Sequence, residues 1–135
     1  MRVNWDDLEP SDDGLLLEWD GVPLTGIAFE LDDGGRLVCE AAFEGGQQHG
    51  LAREWFPSGS MQFEGYYYLG AKHGVSRYWF DSGQLKTETI YELGVKTGEC
   101  GWNAEGTLIR QFELKESDPL YHTLELLRRA YRMRT

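Results

Sequence analysis

The sequence predicts a mostly β protein, an antiparallel meander of stacked β-hairpins with a 24-residue period and one C-terminal amphipathic helix. Three observations predict this fold. Glycines recur every 24 residues, each repeat holds two short strands around a turn, and residues 117–135 have helical periodicity. The chain has 135 residues, of which 41% are hydrophobic, so we expect one folded domain.

The repeat is defined by three columns of glycine. The columns are Gly26, Gly50, Gly74 and Gly98; Gly35, Gly59 and Gly83; and Gly46, Gly70 and Gly94. They divide residues 21–116 into units near 26–49, 50–73, 74–97 and 98–116, called units one to four. Unit four is one residue short, because Gly106 stands where the spacing calls for position 107. Such self-similarity at a fixed period is typical of stacked repeat proteins.

The pattern of each unit predicts a hairpin. In unit two, residues 51–56 and 60–68 alternate as strands, and the turn at 57–59 ends in glycine, which is typical of a type I turn with a glycine bulge. If the two strands pair residue by residue away from the turn, Trp55 lies opposite Met61 and Arg53 lies opposite Phe63. This register puts Arg53 on the apolar face. We therefore expect Trp55 and Trp79 to be core residues stacked one repeat apart. The arginines Arg53 and Arg77 would lie over aromatic rings as cation–π partners.

The two ends of the chain differ from the repeats. Residues 1–20 form an acidic lead-in without clear periodicity. In residues 117–135, Ser117 or Asp118 suits a helix cap and Pro119 suits the first helical position. Apolar residues then recur with helical spacing, and arginines gather near the end. The apolar residues are Leu120, Leu124, Leu127 and Tyr131, and the arginines are Arg128, Arg129, Arg132 and Arg134. We interpret this helix as a cap on the last hairpin, with partner binding as the alternative.

The repeats resemble the MORN-repeat family. The resemblance covers residues 20 to 112 and rests on the residues at 50–59 (GLAREWFPSG), 62–66 (QFEGY) and 70–74 (GAKHG). The chain is most similar to the bacterial subgroup of YwqK-type antitoxins, whose first unit often opens like residues 21–26 (GVPLTG). The resemblance implies a ribbon of stacked hairpins without catalysis, used as a binding scaffold or as a toxin-neutralising protein. Fold alone does not fix which of these applies.

Charge is concentrated in the first third of the chain. The net charge is -10, and residues 1–50 hold 12 acidic residues against two arginines. This distribution disfavours nonspecific binding to nucleic acid or anionic membranes, which rewards lysine and arginine. It permits a basic protein partner, although acidic surfaces also serve solubility. No apolar run is long enough to cross a bilayer, so we expect a cytoplasmic location.

The sequence lacks signatures of catalysis or cofactor binding. It contains no nucleophile elbow, phosphate loop or zinc-protease motif. In the hairpin meander, His49 and His73 would lie about 10 Å apart, too far for a shared metal. Cys39 and Cys100 would lie about 24 Å apart, too far for a disulfide. We therefore expect free thiols, no metal, no cofactor and no enzymatic activity.

Candidate binding residues are those that break the repeat or place aromatic side chains on its polar face. They combine carboxylates with aromatic rings, as protein-binding patches do: Asp32, Asp33, Glu54, Phe56, Glu64, Tyr66, Tyr68, Tyr78 and Phe80. The alternative is that the aromatic residues only stiffen the sheet through cross-strand pairs. We expect a non-enzymatic protein that binds a toxin domain, possibly a basic one, and neutralises it by occlusion. The alternative function is a structural scaffold that self-associates or assembles other proteins.

Overall fold

The computed structural model describes residues 1–132 and consists of one large sheet, one small sheet and one helix. Arg134, counted above among the helix arginines, lies outside the described residues. The strands are β1 (Arg2–Asn4), β2 (Glu9–Pro10), β3 (Leu17–Trp19), β4 (Val22–Pro23), β5 (Gly26–Leu31), β6 (Leu37–Glu44), β7 (Gln47–Trp55), β8 (Met61–Tyr68), β9 (Ala71–Lys72), β10 (Gly74–Trp79), β11 (Leu85–Glu92), β12 (Val95–Trp102) and β13 (Leu108–Glu113). A 3-10 turn covers Trp5–Asp7, and helix α1 covers Pro119–Arg132.

The large sheet confirms the predicted fold class. Its strand order is β1-β5-β6-β7-β8-β10-β11-β12-β13, with the short β9 paired to β8. The hairpins β5–β6, β7–β8, β10–β11 and β12–β13 are units one to four, and neighbouring hairpins pair antiparallel. Strand β1 pairs in parallel with β5, which the sequence did not indicate. Strands β2, β3 and β4 form a separate small sheet.

The turns of the four units share one hydrogen-bonding pattern. In unit two, the Phe56 amide donates to the Ser60 carbonyl (2.9 Å), and the Gly59 amide donates to the Phe56 carbonyl (2.8 Å). Gly59 has φ of 93°, the left-handed conformation that glycine adopts without steric cost. The same bonds recur at Asp32, Phe80 and Asn103. The step from position 80 to 103 is one residue shorter than the others, in agreement with the short fourth unit.

A bulge in each hairpin changes the expected register. In unit two, Trp55 pairs with Met61 as expected, but Glu54 pairs with Phe63, so Gln62 is the extra residue. Arg53 therefore pairs with Glu64, and the prediction that it shares a face with Phe63 is wrong. Corresponding shifts occur beside Leu31, Trp79 and Trp102. The predicted alternation of side chains within each strand is correct. Because of the bulge, however, residues predicted to share a face with the partner strand lie on the opposite face.

The sheet has two chemically different faces. The inner face carries a row of small residues that pair across strands: Ala28, Ala41, Ala52 and Gly65, continued by Ser76 and Thr89. All of these residues are buried. The outer face carries a row of charged residues that pair in the same way: Glu40, Arg53, Glu64, Arg77 and Glu88.

The core is built on the inner face. Its main cluster joins Phe43 and Phe63, each 5% exposed, to the small residues and to Leu24. Phe63 folds back over Gly65, so its ring fills the space that a β-carbon there would occupy. The expectation that Trp55 and Trp79 form the core is wrong: both are partly exposed and lie beside the bulges at the turn end of the sheet.

Helix α1 packs against hairpin loops at the opposite end from the turns. Asp118 caps the helix, because its carboxylate accepts the Leu120 amide hydrogen bond (3.1 Å). Leu124 is 1% exposed and packs with Val95 and Leu114. Leu120, which the periodicity placed on the packed stripe, is 53% exposed, and the neighbouring Tyr121 packs instead.

The edge of the last hairpin remains accessible beside this helix. Within residues 1–132, strand β13 pairs with β12 alone, and its residues Leu108 and Ile109 are 48% and 61% exposed. The helix therefore covers the loop end of the repeats and leaves this edge strand open.

Candidate protein-binding surface

The charged row of the outer face consists of paired groups. The Arg53 Nε donates to Glu64 at 2.9 Å, and the Arg77 Nε donates to Glu88 at the same distance, one repeat further on. These are ion pairs rather than the expected cation–π contacts, and the cation that lies over the Phe63 ring is Lys72. The charge of Glu64, a predicted binding residue, is therefore compensated within the sheet.

Unit one restores the arginine that its repeat lacks. Phe29 occupies the position of Arg53 and Arg77, and Arg2 from β1 lies over the Phe29 ring, 4.8 Å from its centroid. The Arg2 Nη1 donates to Glu40 at 2.9 Å, completing the ion pair found in the later units. This break in the repeat is therefore explained by the added parallel strand, which only the three-dimensional structure shows.

The structure divides the predicted binding residues between the two faces. Tyr78 pairs with Phe63 on the inner face, with ring centroids 4.7 Å apart, and Glu54 lies in the same cross-strand row. Tyr66 lies on the outer face and is 50% exposed. The expectation that Tyr66 and Tyr78 share one polar face is therefore wrong, because the bulges exchange the faces.

Tyr68 lies in a contact between the sheet and the helix. Its ring is 5.2 Å from His49, 5.7 Å from His73 and 5.5 Å from Tyr131 of α1. These contacts give Tyr68 a structural role at the loop end of the sheet. The two histidines also have a structural role. The sequence showed only that they occupy matching positions of the repeat.

The histidines hold the hairpin loops. The His49 Nδ1 accepts a hydrogen bond from the Leu69 amide (3.1 Å), and the His73 Nδ1 accepts one from the Leu93 amide (3.0 Å). Leu69 and Leu93 have positive φ, 47° and 51°, in two-residue loops that each continue with glycine. Each histidine thus fixes a strained loop of the next unit.

Asp32 also has a structural role. Its Oδ1 accepts hydrogen bonds from the Gly34 and Arg36 amides, each 2.9 Å long. Asn103 makes the corresponding bonds in unit four, to the amides of Glu105 and Thr107. The side chain of Asp32 therefore stabilises its turn, as expected of aspartate and asparagine at such positions. Asp33 is exposed and takes no part in these bonds.

Two predicted residues, Asp32 and Phe56, meet at a groove between the turns of units one and two. This turn-end groove has a volume of about 650 Å³. Its walls include Leu37 and Trp55 as apolar surface and Arg36 at the rim. The Arg36 Nη1 donates to the Pro57 carbonyl at 2.9 Å, which ties the two turns together. Phe80 lies in the next turn, with Lys86 over its ring at 5.6 Å.

The acidic excess of the first third remains exposed to solvent. Residues 51–116 contain nine carboxylates. Within the described residues, five of them pair with lysine or arginine: Glu64, Glu88, Glu92, Glu99 and Glu113. In residues 1–50, Glu40 pairs with Arg2 and Glu44 lies 3.4 Å from His49, while the other ten carboxylates form no ion pair with any residue that the structure describes. Seven of these ten carboxylates lie in residues 1–20, and Asp32 lines the turn-end groove together with Arg36.

The cysteines and carboxylates do not assemble a reactive centre in the part of the chain that the structure describes. Cys39 and Cys100 are free thiols. Burial and the nearby Glu30 raise the pKa of the Cys39 thiol to about 11, which disfavours the nucleophilic thiolate. Residues 1–132 contain no group of three histidine, cysteine or acidic side chains arranged to hold a metal ion.

Two comparisons with known proteins bear on this architecture. Residues 48–67 and 72–92, which cover most of units two and three, match the family described as a MORN repeat variant. The curated proteins contain no match to the chain. The two adjacent matches agree with the repeat columns and with a protein-binding or structural repeat module. Among the described residues, no helix has the length and apolar character needed to span a membrane.

Proposed function

We propose that this chain is a non-enzymatic protein-binding module that neutralises a toxin domain by covering it, as an antitoxin or immunity protein does. One observation carries this proposal: among residues 1–132, ten of the twelve carboxylates of the first third form no ion pair, whereas five of the nine in residues 51–116 pair with arginine or lysine. A rigid sheet that presents a preformed negative surface suits a basic partner. A nuclease is one such partner, since its own substrate is a polyanion.

The proposed binding surface is the turn end of units one and two. The groove there is lined by apolar surface of Trp55 and Phe56 and by Asp32 and Arg36, and the exposed Asp33 follows Asp32 in the same turn. Aromatic area surrounded by charge is typical of protein interfaces. The similarity to YwqK-type antitoxins in the opening of unit one also supports this assignment. The cytoplasm is the location we propose for such a complex.

The test is capture of the partner from the native host, followed by measurement of association and dissociation rates. The double variant Asp32→Asn, Asp33→Lys should slow association several-fold at low salt, with an effect that fades at high salt, because exposed charges act mainly through steering. Asparagine keeps the Oδ1 that accepts the turn hydrogen bonds, so the turn is preserved. Glu105→Lys, at the exposed turn of unit four, is the matched control and should leave both rates unchanged.

A structural scaffold is the second candidate function. The observation that favours it is the open edge strand β13, where Leu108 and Ile109 are exposed. Open edges pair readily with further strands. Light scattering would show concentration-dependent oligomers that Ile109→Lys abolishes. A strictly monomeric chain that binds a basic toxin would instead favour neutralisation.

A further inference from the structure

The N-terminal segment shows how an aromatic side chain can bind to the inner face. The ring of Trp5 meets Phe43 edge to face, with centroids 5.4 Å apart and an interplanar angle of 73°. Phe43 lies opposite Gly26 on the neighbouring strand and is 5% exposed. Leu24 completes the contact as part of the same cluster. Unit one of the inner face is thus covered by the chain itself.

The repeat reproduces this aromatic position further along the sheet. Tyr67 lies opposite Gly50, and Tyr91 lies opposite Gly74, as Phe43 lies opposite Gly26. Both tyrosines remain partly exposed, unlike Phe43. Among residues 1–132, no aromatic ring packs on Tyr67 or Tyr91 as Trp5 packs on Phe43.

A lysine stands beside these tyrosines at the repeat position that a leucine occupies just before unit one. Lys72 occupies the repeat position of Leu24, and its Nζ lies 5.3 Å from the Tyr91 ring centroid and 5.8 Å from that of Phe63. Within residues 1–132, no carboxylate lies within 4 Å of this ammonium group, whereas Lys96, one repeat later, pairs with Glu99 at 2.7 Å. The uncovered part of the inner face therefore contains a cation without an anionic partner.

We propose that the inner face of units two and three binds an acidic segment of another protein that carries a tryptophan or a similar aromatic residue. The aromatic ring packs on Tyr91 or Tyr67, as Trp5 packs on Phe43, and a neighbouring carboxylate pairs with Lys72. The chain's own segment has this chemistry, because Trp5 is followed by Asp6 and Asp7. This surface is separate from the turn-end groove, and the acidic group of its partner is directed to Lys72, away from Glu54 in the row of Phe63.

The probe is a fluorescein-labelled peptide with the sequence of residues 2–10, added to the full-length chain and followed by fluorescence anisotropy. We expect saturable binding that weakens as salt rises. Lys72→Gln should weaken it at least threefold, because it removes an ion pair and a cation–π partner. Tyr91→Ala should weaken it further, and a peptide with alanine in place of Trp5 should lose most of the binding. Lys86→Gln, at the turn end, is the matched control and should bind like the parent chain.

Other results would overturn the proposal. One is the absence of peptide binding, and another is equal binding by the Lys72→Gln chain, the Tyr91→Ala chain and the parent chain, which would place the peptide over unit one by displacing Trp5. Circular dichroism and melting of each variant would show that the fold is intact, and Tyr91→Phe, which keeps the ring, should restore binding. Dimerisation of the chain alone that Lys72→Gln abolishes would assign the face to a second copy instead. The Asp32→Asn, Asp33→Lys variant should bind the peptide normally, so the two proposals fail independently.

Discussion

His73 illustrates how a single acceptor atom supports a loop. Its Nδ1 is the acceptor for the amide of Leu93, which has a positive φ. His73→Phe should lower the free energy of unfolding by about 1–3 kcal/mol, because the amide loses its partner in a half-buried place. His73→Asn should recover part of that loss, since the asparagine Oδ1, like the histidine Nδ1, is an acceptor bonded to the γ-carbon. Urea denaturation of the three chains measures the difference, and equal losses in both variants would contradict the acceptor role.

Gly65 is required on the inner face by close packing rather than by its backbone conformation. A β-carbon there would lie 2.7 Å from Phe63 Cζ and 2.8 Å from Ser76 Oγ. Gly65→Ala should destabilise the protein by about 1–3 kcal/mol, the usual cost of overpacking a filled core. Gly98→Ala is the control, since its nearest neighbour would be Ile90 Cδ1 at 3.6 Å. Thermal unfolding should separate the two variants, and similar melting temperatures would show that Phe63 moves aside freely.

The limits of sequence reasoning also appear at the scale of single residues. The glycine columns were sufficient to predict the hairpins and their period, because glycine adopts the positive φ of such turns without steric cost. Gln62 carries no sign that it is the bulged residue, yet this one extra residue moves Arg53 from the apolar face to an ion pair with Glu64. Local patterns report alternation within a strand, whereas pairing between strands depends on the geometry of the turn. The candidate binding residues were therefore divided between faces.

At the scale of elements, helix α1 is joined to the sheet by a charged pair as well as by Leu124. Arg128 of α1 binds Glu92 of β11 with two hydrogen bonds, the Nη2–Oε1 bond being 2.8 Å. The hydrogen bond from Arg128 lowers the pKa of the Glu92 carboxyl from its ordinary value of 4.5. The pair links the helix to the loop end of unit three, and the ring contact of Tyr131 with Tyr68 extends this link to unit two.

This ion pair predicts a specific pH dependence. Because the pKa of Glu92 is lower in the folded state, the pair stabilises the fold above about pH 4.5, and this contribution disappears as the pH falls through the folded-state pKa. Glu92→Gln should lower the free energy of unfolding by about 0.5–1.5 kcal/mol at pH 7. The difference from the parent chain should vanish near pH 3. Denaturation series at both pH values measure it, with Glu113→Gln, whose pair with Lys115 is highly exposed, as the control. A difference that does not change with pH would refute the electrostatic origin.

At the scale of the whole molecule, the charge distribution lowers the stability of the fold where it would favour binding of a partner. The later repeats neutralise their carboxylates in rows along the outer face, while the first third leaves its own exposed to solvent. Such like charges repel one another in the folded chain and reduce its stability. A protein that only needed solubility would gain nothing from concentrating them in one region. The concentration is explained if this region steers a basic partner, and the inner face adds a second surface of opposite preference at Lys72.

This division predicts that removing acidic charge has opposite effects in the two parts of the molecule. The triple variant Asp7→Asn, Asp12→Asn, Asp33→Asn removes unpaired charges and should raise Tm by about 2–4 °C at low salt, because it reduces repulsion among the first 50 residues. Glu64→Gln removes a paired charge of the outer face and should lower Tm, since Arg53 is left without its carboxylate. Calorimetry at about 10 mM and about 500 mM salt should show the gain of the triple variant shrinking as screening increases. A gain that persists at high salt would indicate local effects of asparagine instead, and a loss at low salt would mean that these carboxylates hold the N-terminal segment in place.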